Sequence, residues 1–180
     1  MKTIKNNPAV LIDFLPTFAK KDFFLILGGS IFMIALSHLR IYLPHSLVPH
    51  TGQTLGVLLI GLSFGLKRAL ISTGIFLFAR PFIGLPFEIH TSGYLLGMFI
   101  ASGVLGYLSQ KGYARKFSTL IPVILLAKLI IYTCGVIVLS SFIGWEKAFL
   151  TGVIPFIPSM VVKTIFCAAM LPVVYKVVED

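Results

Sequence analysis

The chain has 180 residues, of which 57% are hydrophobic and only 12% are charged, and its mean hydropathy is +0.99. A soluble domain is nearer half apolar and a quarter charged, so the composition excludes an ordinary soluble protein and predicts a membrane protein with several spans. The net charge is +9, but the basic residues are dispersed at the ends of apolar runs. This distribution indicates topology signals and contacts with anionic lipid headgroups rather than nucleic-acid binding.

Six apolar segments follow one another along the chain, and we predict that they form the six helices of a single all-α membrane domain. A membrane-spanning helix needs about 20 apolar residues, so the second and third segments are short. Only Lys67 and Arg68 separate these two, which predicts a tight hairpin of helices covered by the others. The predicted spans are residues 23–39, 52–66, 69–85, 93–109, 118–142 and 155–178.

Lys and Arg are distributed unequally between the alternate ends of these segments. Of the 15 Lys and Arg residues, ten lie on the side that carries both termini, and three, Arg40, Arg80 and Lys147, lie on the other side. Short basic loops stay in the cytoplasm, so we predict that both termini are cytoplasmic and that the Pro- and His-containing loops face outward. The remaining two, Lys128 and Lys163, fall inside apolar segments.

Lys163 is the most informative residue, because it stands in an apolar stretch with no other charge between Lys147 and Lys176. An ammonium group inside a membrane helix costs roughly 2.5–3.5 kcal/mol by insertion scales, so such a charge indicates a functional site. The alternative is a lysine that extends its ammonium group to the outer headgroups. For the deeper Lys128, two interpretations stay open: it is satisfied by carbonyls or by the ring of Tyr132, or it contacts a ligand or a partner.

The sequence contains no enzyme motif. It lacks a P-loop, a G-x-S-x-G nucleophile motif and an H-E-x-x-H zinc motif. Six carboxylates are few for acid–base chemistry, and none lies clearly inside a helix, which also disfavours a proton-coupled pump. Cys134 and Cys167 lie inside apolar runs and have no metal-binding spacing. We therefore expect a protein that is not an enzyme and that holds no cofactor and no metal.

Four stretches resemble motifs of the BioY family, the biotin-binding S-components of energy-coupling-factor transporters. They resemble "P-x-T-x-Q-T-L-G-V-L-L-x-G", "G-L-P-V-F", "P-T-G-G-Y-L-x-G-F" and "G-x-x-P-F-I-P-G-D-x-x-K", in the same order and with similar spacing. The stretches are Val48-Pro-His-Thr-Gly-Gln-Thr-Leu-Gly-Val-Leu-Leu-Ile-Gly-Leu, Ile83-Gly-Leu-Pro-Phe, His90-Thr-Ser-Gly-Tyr-Leu-Leu-Gly-Met-Phe and Gly152-Val-Ile-Pro-Phe-Ile-Pro-Ser-Met-Val-Val-Lys.

The resemblance implies a six-helix protein of the cell membrane that binds biotin from the outside. It also implies partners, a membrane T-component and two ABC-type ATPases that supply the energy. That implication is consistent with a chain that has no nucleotide-binding motif of its own.

By position, the resemblance makes Lys163 the family's motif lysine, which is expected to contact biotin. Two departures from the motifs accompany it: Met160 stands where the family has Asp, and a Gly-rich loop is shortened to Glu88-Ile89. Glu88 is therefore a candidate for the missing hydrogen-bond acceptor. The residues that the resemblance places in or beside the pocket are Lys163, Arg80, Gln53, Thr51, Glu88, Thr91, Gly93, Tyr94 and Met160.

Two alternative functions remain at this stage. Met160 motivates the first, an S-component retuned for another small nutrient with a ring or a carboxylate. The second is a membrane enzyme or assembly factor with no role in transport, and the scarcity of carboxylates argues against it.

Overall fold

A computed structural model of the chain describes residues 10–14, 20–41, 48–85 and 88–179. Helices dominate this part of the chain, together with a short antiparallel pair of strands, in which Arg40 lies opposite Thr51. The helices are α1 (Lys21–His38), α2 (Gln53–Phe64), α3 (Leu66–Ala79), α4 (Ser92–Gln110), α5 (Phe117–Ile143), α6 (Trp145–Gly152) and α7 (Ile157–Glu179), and the strands are β1 (Arg40–Ile41) and β2 (His50–Thr51). Turns of 3-10 helix cover Leu11–Phe14, Arg80–Ile83, Ile89–Thr91 and Ile154–Phe156.

The helices confirm the all-α membrane architecture. Four helical segments are long and apolar enough to cross a membrane, and α2 is a shorter apolar helix. The four segments are Lys21–His38, Ile89–Gln110, Phe117–Ile143 and Trp145–Val178. The cytoplasmic location of both termini stays a prediction, because residues 1–9 and Asp180 lie outside the described part of the chain.

The hairpin of α2 and α3 turns at Gly65, and Lys67 and Arg68 lie in the first turn of α3. Gly65 has a φ of +78°, a conformation that glycine adopts without the steric cost of a Cβ atom. At Gly106 of α4 an added Cβ would lie only 2.7 Å from backbone atoms of Gly65 and Leu66, so α4 contacts the turn directly. This close approach covers the two short helices inside the bundle.

The eight residues from Trp145 to Gly152 form a helix, α6, in a region that sequence reasoning treated as an outer loop. Gly144, with a φ of +81°, separates α6 from α5. The helix is too short to span a bilayer and carries Glu146 and Lys147, so hydropathy alone gave no indication of it. Its consequence for the site is that α6 carries the chain back to the turn Ile154–Phe156, from which α7 begins.

Small residues bring α4 against α5. A Cβ atom added at Gly97 would lie 2.7 Å from the Cα atom of Ile131, and one added at Gly93 would contact the carbonyl oxygen of Cys134. The two backbones therefore touch between the start of α4, which carries Tyr94, and the middle of α5, which carries Tyr132. This contact fixes the positions of both tyrosines relative to each other.

Candidate functional site

A pocket opens between the strand pair, the turn after α3, the start of α4, the middle of α5 and the start of α7. Its empty space, including the open mouth, is about 600 Å³. Residues from three of the four motif stretches line it, although they are far apart in the sequence, and Arg80 and Glu88 flank the fourth stretch. The sequence-predicted residues among them are Lys163, Arg80, Gln53, Thr51, Glu88, Thr91 and Tyr94.

Lys163 is held inside the protein by two hydrogen bonds. Its ammonium nitrogen donates to the carbonyl oxygen of Thr51 at 2.8 Å and to the hydroxyl of Thr54 at 2.7 Å. An ammonium group has three N–H donors, so these bonds leave one for a ligand in the pocket. The direction of the side chain favours the site interpretation over an extension to the headgroups.

Among the described residues, no carboxylate lies within salt-bridge distance of Lys163. The described partners of the ammonium group are neutral oxygens only. Such a charge favours a ligand that brings an acceptor or a negative charge.

Met160 and Lys128 lie away from the pocket. The ammonium of Lys128 donates to the carbonyl oxygen of Met160 and to the hydroxyl of Thr164, both at 2.5 Å. Both Met160 and Lys128 line a separate, mostly apolar groove that also contains Trp145. This arrangement matches the interpretation in which Lys128 is satisfied by protein oxygens and ties α5 to α7. A ligand contact by Met160 stays a prediction.

Arg40 is a pocket residue that sequence reasoning missed. Its Nε donates to the carbonyl oxygen of Ser37 at 3.0 Å, and one terminal guanidinium nitrogen is buried with no hydrogen-bond partner among the described residues. Arg80 is buried, and its guanidinium carbon lies 5.7 Å from the centre of the Phe76 ring. The sequence offered Arg40 only as a topology charge, because the two-residue strand that brings it to the pocket is too short to predict.

The charges that line the pocket are unbalanced. Three cations, Arg40, Arg80 and Lys163, face a single carboxylate, Glu88, among the described lining residues. Low-dielectric walls strengthen the field of such a cluster, so the pocket attracts an anion.

The polar loop residues mainly fix one another. The Thr91 hydroxyl donates to the carbonyl oxygen of Glu88 at 2.8 Å, and the Glu88 carboxylate lies 3.4 Å from Nε2 of His90. The backbone N–H of Gln53 donates to the Thr51 hydroxyl at 3.4 Å, and the Gln53 side chain is almost fully buried. These contacts hold Glu88 and Gln53 at the pocket wall. They leave hydrogen-bonding capacity on the Glu88 carboxylate and on the Gln53 side-chain amide.

Three aromatic rings form the apolar wall. The hydroxyl of Tyr94 donates to the carbonyl oxygen of Gly152 at 2.9 Å, and its ring occupies space that a side chain at Gly135 or Gly152 would fill. Its ring centre lies 6.5 Å from that of Tyr132 and 6.4 Å from that of Phe156. Tyr94 lines the pocket as predicted, and Tyr132 and Phe156 are further lining residues that sequence reasoning missed.

The family model described as the BioY family matches residues 15–180, which is nearly the whole chain. The chain belongs to the BioY family. Among its relatives is the "Biotin transporter BioY" of Rhizobium etli, which is 31% identical over 143 residues, or 68% of this chain and 75% of the relative. Another is the "Probable biotin transporter BioY" of Pyrococcus horikoshii, 33% identical over 126 residues, or 64% of this chain and 74% of the relative.

A solved structure shares the fold of the chain. It is the crystal structure of "the S-component for biotin from an ECF-type ABC transporter", with a TM-score of 0.73 and 24% sequence identity. The match covers 87% of this chain and 91% of the other. Family membership and shared fold establish a multi-pass protein of the cell membrane, a transport component rather than an enzyme.

Proposed function

We propose that this chain binds biotin in the pocket and serves as the membrane-embedded uptake component of an ECF-type ABC transporter. The observation that carries the proposal is the pocket itself, in which three of the four motif stretches meet and Lys163 lines the wall. Two relatives carry the name biotin transporter, and the structure with the same fold is named for biotin.

The chemistry of the pocket matches that of biotin. Apart from its ureido group, the fused bicyclic ring system is apolar and suits the wall formed by Tyr94, Tyr132 and Phe156. The ureido carbonyl needs a donor, which the third N–H of Lys163 offers, and the valerate carboxylate needs a cation. Unpaired polar groups of a bound ligand would each cost about 1–3 kcal/mol, so this complementarity decides the affinity.

Arg40 and Arg80 are the candidates for the carboxylate. Both line the pocket together with Glu88, and the buried terminal nitrogen of Arg40 has no hydrogen-bond partner among the described residues. A guanidinium group can bind a carboxylate through two parallel hydrogen bonds, which an ammonium group cannot do. We propose that an arginine takes the carboxylate and that Lys163 takes the ureido carbonyl.

The proposal is tested by titrating the purified protein with biotin in a calorimeter. We expect saturable binding at micromolar biotin or below, and a rise in melting temperature, because a ligand at 100 times its Kd stabilises the folded state by about 2.7 kcal/mol. Thiamine and riboflavin are the matched controls and should give neither heat nor stabilisation. The proposal is wrong if biotin behaves as they do.

We further propose that a membrane T-component and two ABC ATPases supply the energy for release into the cell. The chain has no P-loop, so it cannot hydrolyse a nucleotide by that route itself. Vesicles containing the chain with these partners should accumulate biotin only with internal ATP. Accumulation by the chain alone, without ATP, would contradict this part of the proposal.

One observation favours a second candidate, an S-component for another small carboxylated nutrient. Met160 replaces the motif carboxylate, and Lys163 has no acidic partner among the described residues. Mass spectrometry of the ligand that remains bound during purification separates the two candidates. Biotin supports the first, and a different carboxylate supports the second.

A further inference from the structure

His50 stacks against Phe156, one of the residues that line the pocket. Its ring centre lies 3.9 Å from that of Phe156, and the two ring planes are within 7° of parallel. His50 does not itself line the pocket, whereas Phe156 does. The Phe156 ring therefore stacks directly on His50, and its centre lies 6.4 Å from that of Tyr94, with the two ring planes 24° apart.

A hydrogen bond adds to the stack. Nε2 of His50 lies 2.8 Å from the carbonyl oxygen of Pro155, and because that carbonyl can only accept, Nε2 must carry the hydrogen. His50 is only 8% exposed, and its Nδ1 has no hydrogen-bond partner among the described residues. Both observations describe an imidazole whose ring and Nε2–H are directed at the turn Ile154–Phe156.

These contacts join two parts of the chain that both contribute lining residues to the pocket. His50 belongs to β2, immediately before Thr51, and Phe156 belongs to the turn that precedes α7. Lys163 of α7 also donates hydrogen bonds to the Thr51 carbonyl and the Thr54 hydroxyl. The strand pair and the start of α7 are thus connected twice, once by a stack and once by a buried ammonium group.

We propose that His50 is a positioning residue for the ligand: it holds the Phe156 ring as a wall of the pocket and thereby slows ligand release. The inference rests on the proposed function, since the ligand is taken to be biotin. The family motif leaves this position open, as the x of "P-x-T-x-Q-T", so the motif itself assigns no role to it; the stack and the hydrogen bond of His50 are here called the latch. A Phe156 ring held by the latch keeps its orientation when the pocket is empty, which lowers the entropy that binding must remove.

The test uses the purified full chain and a chase that measures the dissociation rate of radiolabelled biotin. His50→Ala removes ring and donor, His50→Phe keeps the ring, and His50→Gln keeps an N–H donor without a ring. His38→Ala is the matched control, because His38 is exposed and bonds to a carbonyl of its own helix, that of Ile34.

We expect His50→Ala to accelerate release about three- to tenfold, the range that corresponds to one aromatic pair. His50→Phe should lie closest to the wild type, His50→Gln closest to His50→Ala, and His38→Ala should not differ from the wild type. The association rate and the melting temperature without ligand should change little. Rescue by Gln but not by Phe would overturn the role of the stack.

A double-mutant cycle tests whether His50 acts through Phe156. In a Phe156→Leu background, which keeps an apolar side chain at the wall, His50→Ala should have no further effect on release, because the ring that it orients is gone. Additive effects of the two substitutions would overturn the proposal.

A ligand-free measurement separates the latch from the proposed function. Amide hydrogen exchange of residues 153–157 should be faster in His50→Ala than in the wild type, whichever nutrient the pocket takes. Absence of biotin binding by the wild type contradicts the proposed function. Unchanged exchange, or unchanged release from a wild type that binds biotin, contradicts the latch alone.

Discussion

In the pocket, at one end of the helix bundle, three cations face one carboxylate, whereas Arg68 at the opposite end is paired with two carboxylates, those of Asp13 and Asp22. This opposite end, around Arg68 and Tyr175, is called the closed end, and its buried polar groups differ from those of the pocket in the same way. At the closed end the hydroxyl of Tyr175 donates to the carbonyl oxygen of Leu62 and accepts from the N–H of Leu11, both at 3.0 Å. Ser109 also donates to the Leu62 carbonyl and lies 3.3 Å from the Tyr175 hydroxyl.

The difference separates stability from binding. Buried polar groups at the closed end bond to one another across α2, α4, α7 and the turn Leu11–Phe14, so they hold the elements together. Buried polar groups around the pocket keep donors and charge in excess, which a protein tolerates where a ligand supplies the missing partner. Substitutions at the pocket should therefore change affinity more than stability, and substitutions at the closed end should do the reverse.

The largest expected effect is that of Lys163→Met on affinity. A charge-assisted hydrogen bond contributes about 1.5–3 kcal/mol, so we expect biotin to bind about 10- to 100-fold more weakly. The melting temperature without ligand should stay the same or rise, because the substitution removes a buried charge that has no acidic partner among the described residues. Calorimetry and a thermal melt of the same sample measure both. An unchanged affinity would mean that Lys163 has only a structural role.

The next effect is the loss of stability in Tyr175→Phe. The Leu62 carbonyl and the Leu11 N–H lose a buried partner, which we expect to cost about 1–3 kcal/mol. Reversible unfolding in mixed micelles measures the loss, and biotin affinity should stay within about twofold of the wild type, well below the effect of one hydrogen bond. A matched fall in affinity would show that the two ends are coupled.

Arg40→Gln and Arg80→Gln test which group meets the carboxylate. Each variant is titrated with biotin and with its methyl ester, whose tail is neutral. The arginine that binds the carboxylate should lose about tenfold in affinity for biotin, the lower range of a charge-assisted bond, and almost nothing for the ester. If both ligands are affected equally, that arginine shapes the pocket without meeting the charge.

The sequence alone predicts the helices and several residues that line the pocket, because local sequence patterns mark both. Apolar runs mark helices, and Lys163 stands out because a lone charge in such a run is costly. Arg40, Tyr132 and Phe156 leave no such trace, since they reach the pocket through contacts made only in the folded chain. The bond between His50 and the Pro155 carbonyl, for example, joins residues separated by 105 positions.

The turn of the short hairpin shows a related limit. Lys67 and Arg68 mark a break in hydropathy, and the sequence placed the turn there, but the backbone turns at Gly65. Gly65 alone offers the left-handed conformation and lets α4 approach, whereas the two basic residues continue into α3. Hydropathy locates the end of an apolar segment, and backbone sterics locate the turn.

The smallest expected effect is that of Arg68→Gln, at the closed end. Arg68 bonds to Asp13 at 2.7 Å and to Asp22 at 2.8 Å, so it connects α3 to α1 and to the turn Leu11–Phe14. Its side chain is 22% exposed and that of Asp22 is 63% exposed, so water and salt screen the pairs, and we expect a loss of less than about 1 kcal/mol. The loss should shrink further in high salt, and biotin affinity should not change.

Asp22→Asn is the matched control, because it removes one of the two pairs and leaves Arg68 in place. A loss in Arg68→Gln as large as that in Tyr175→Phe, and insensitive to salt, would mean that the charge pairs rather than the buried hydroxyl hold this end together.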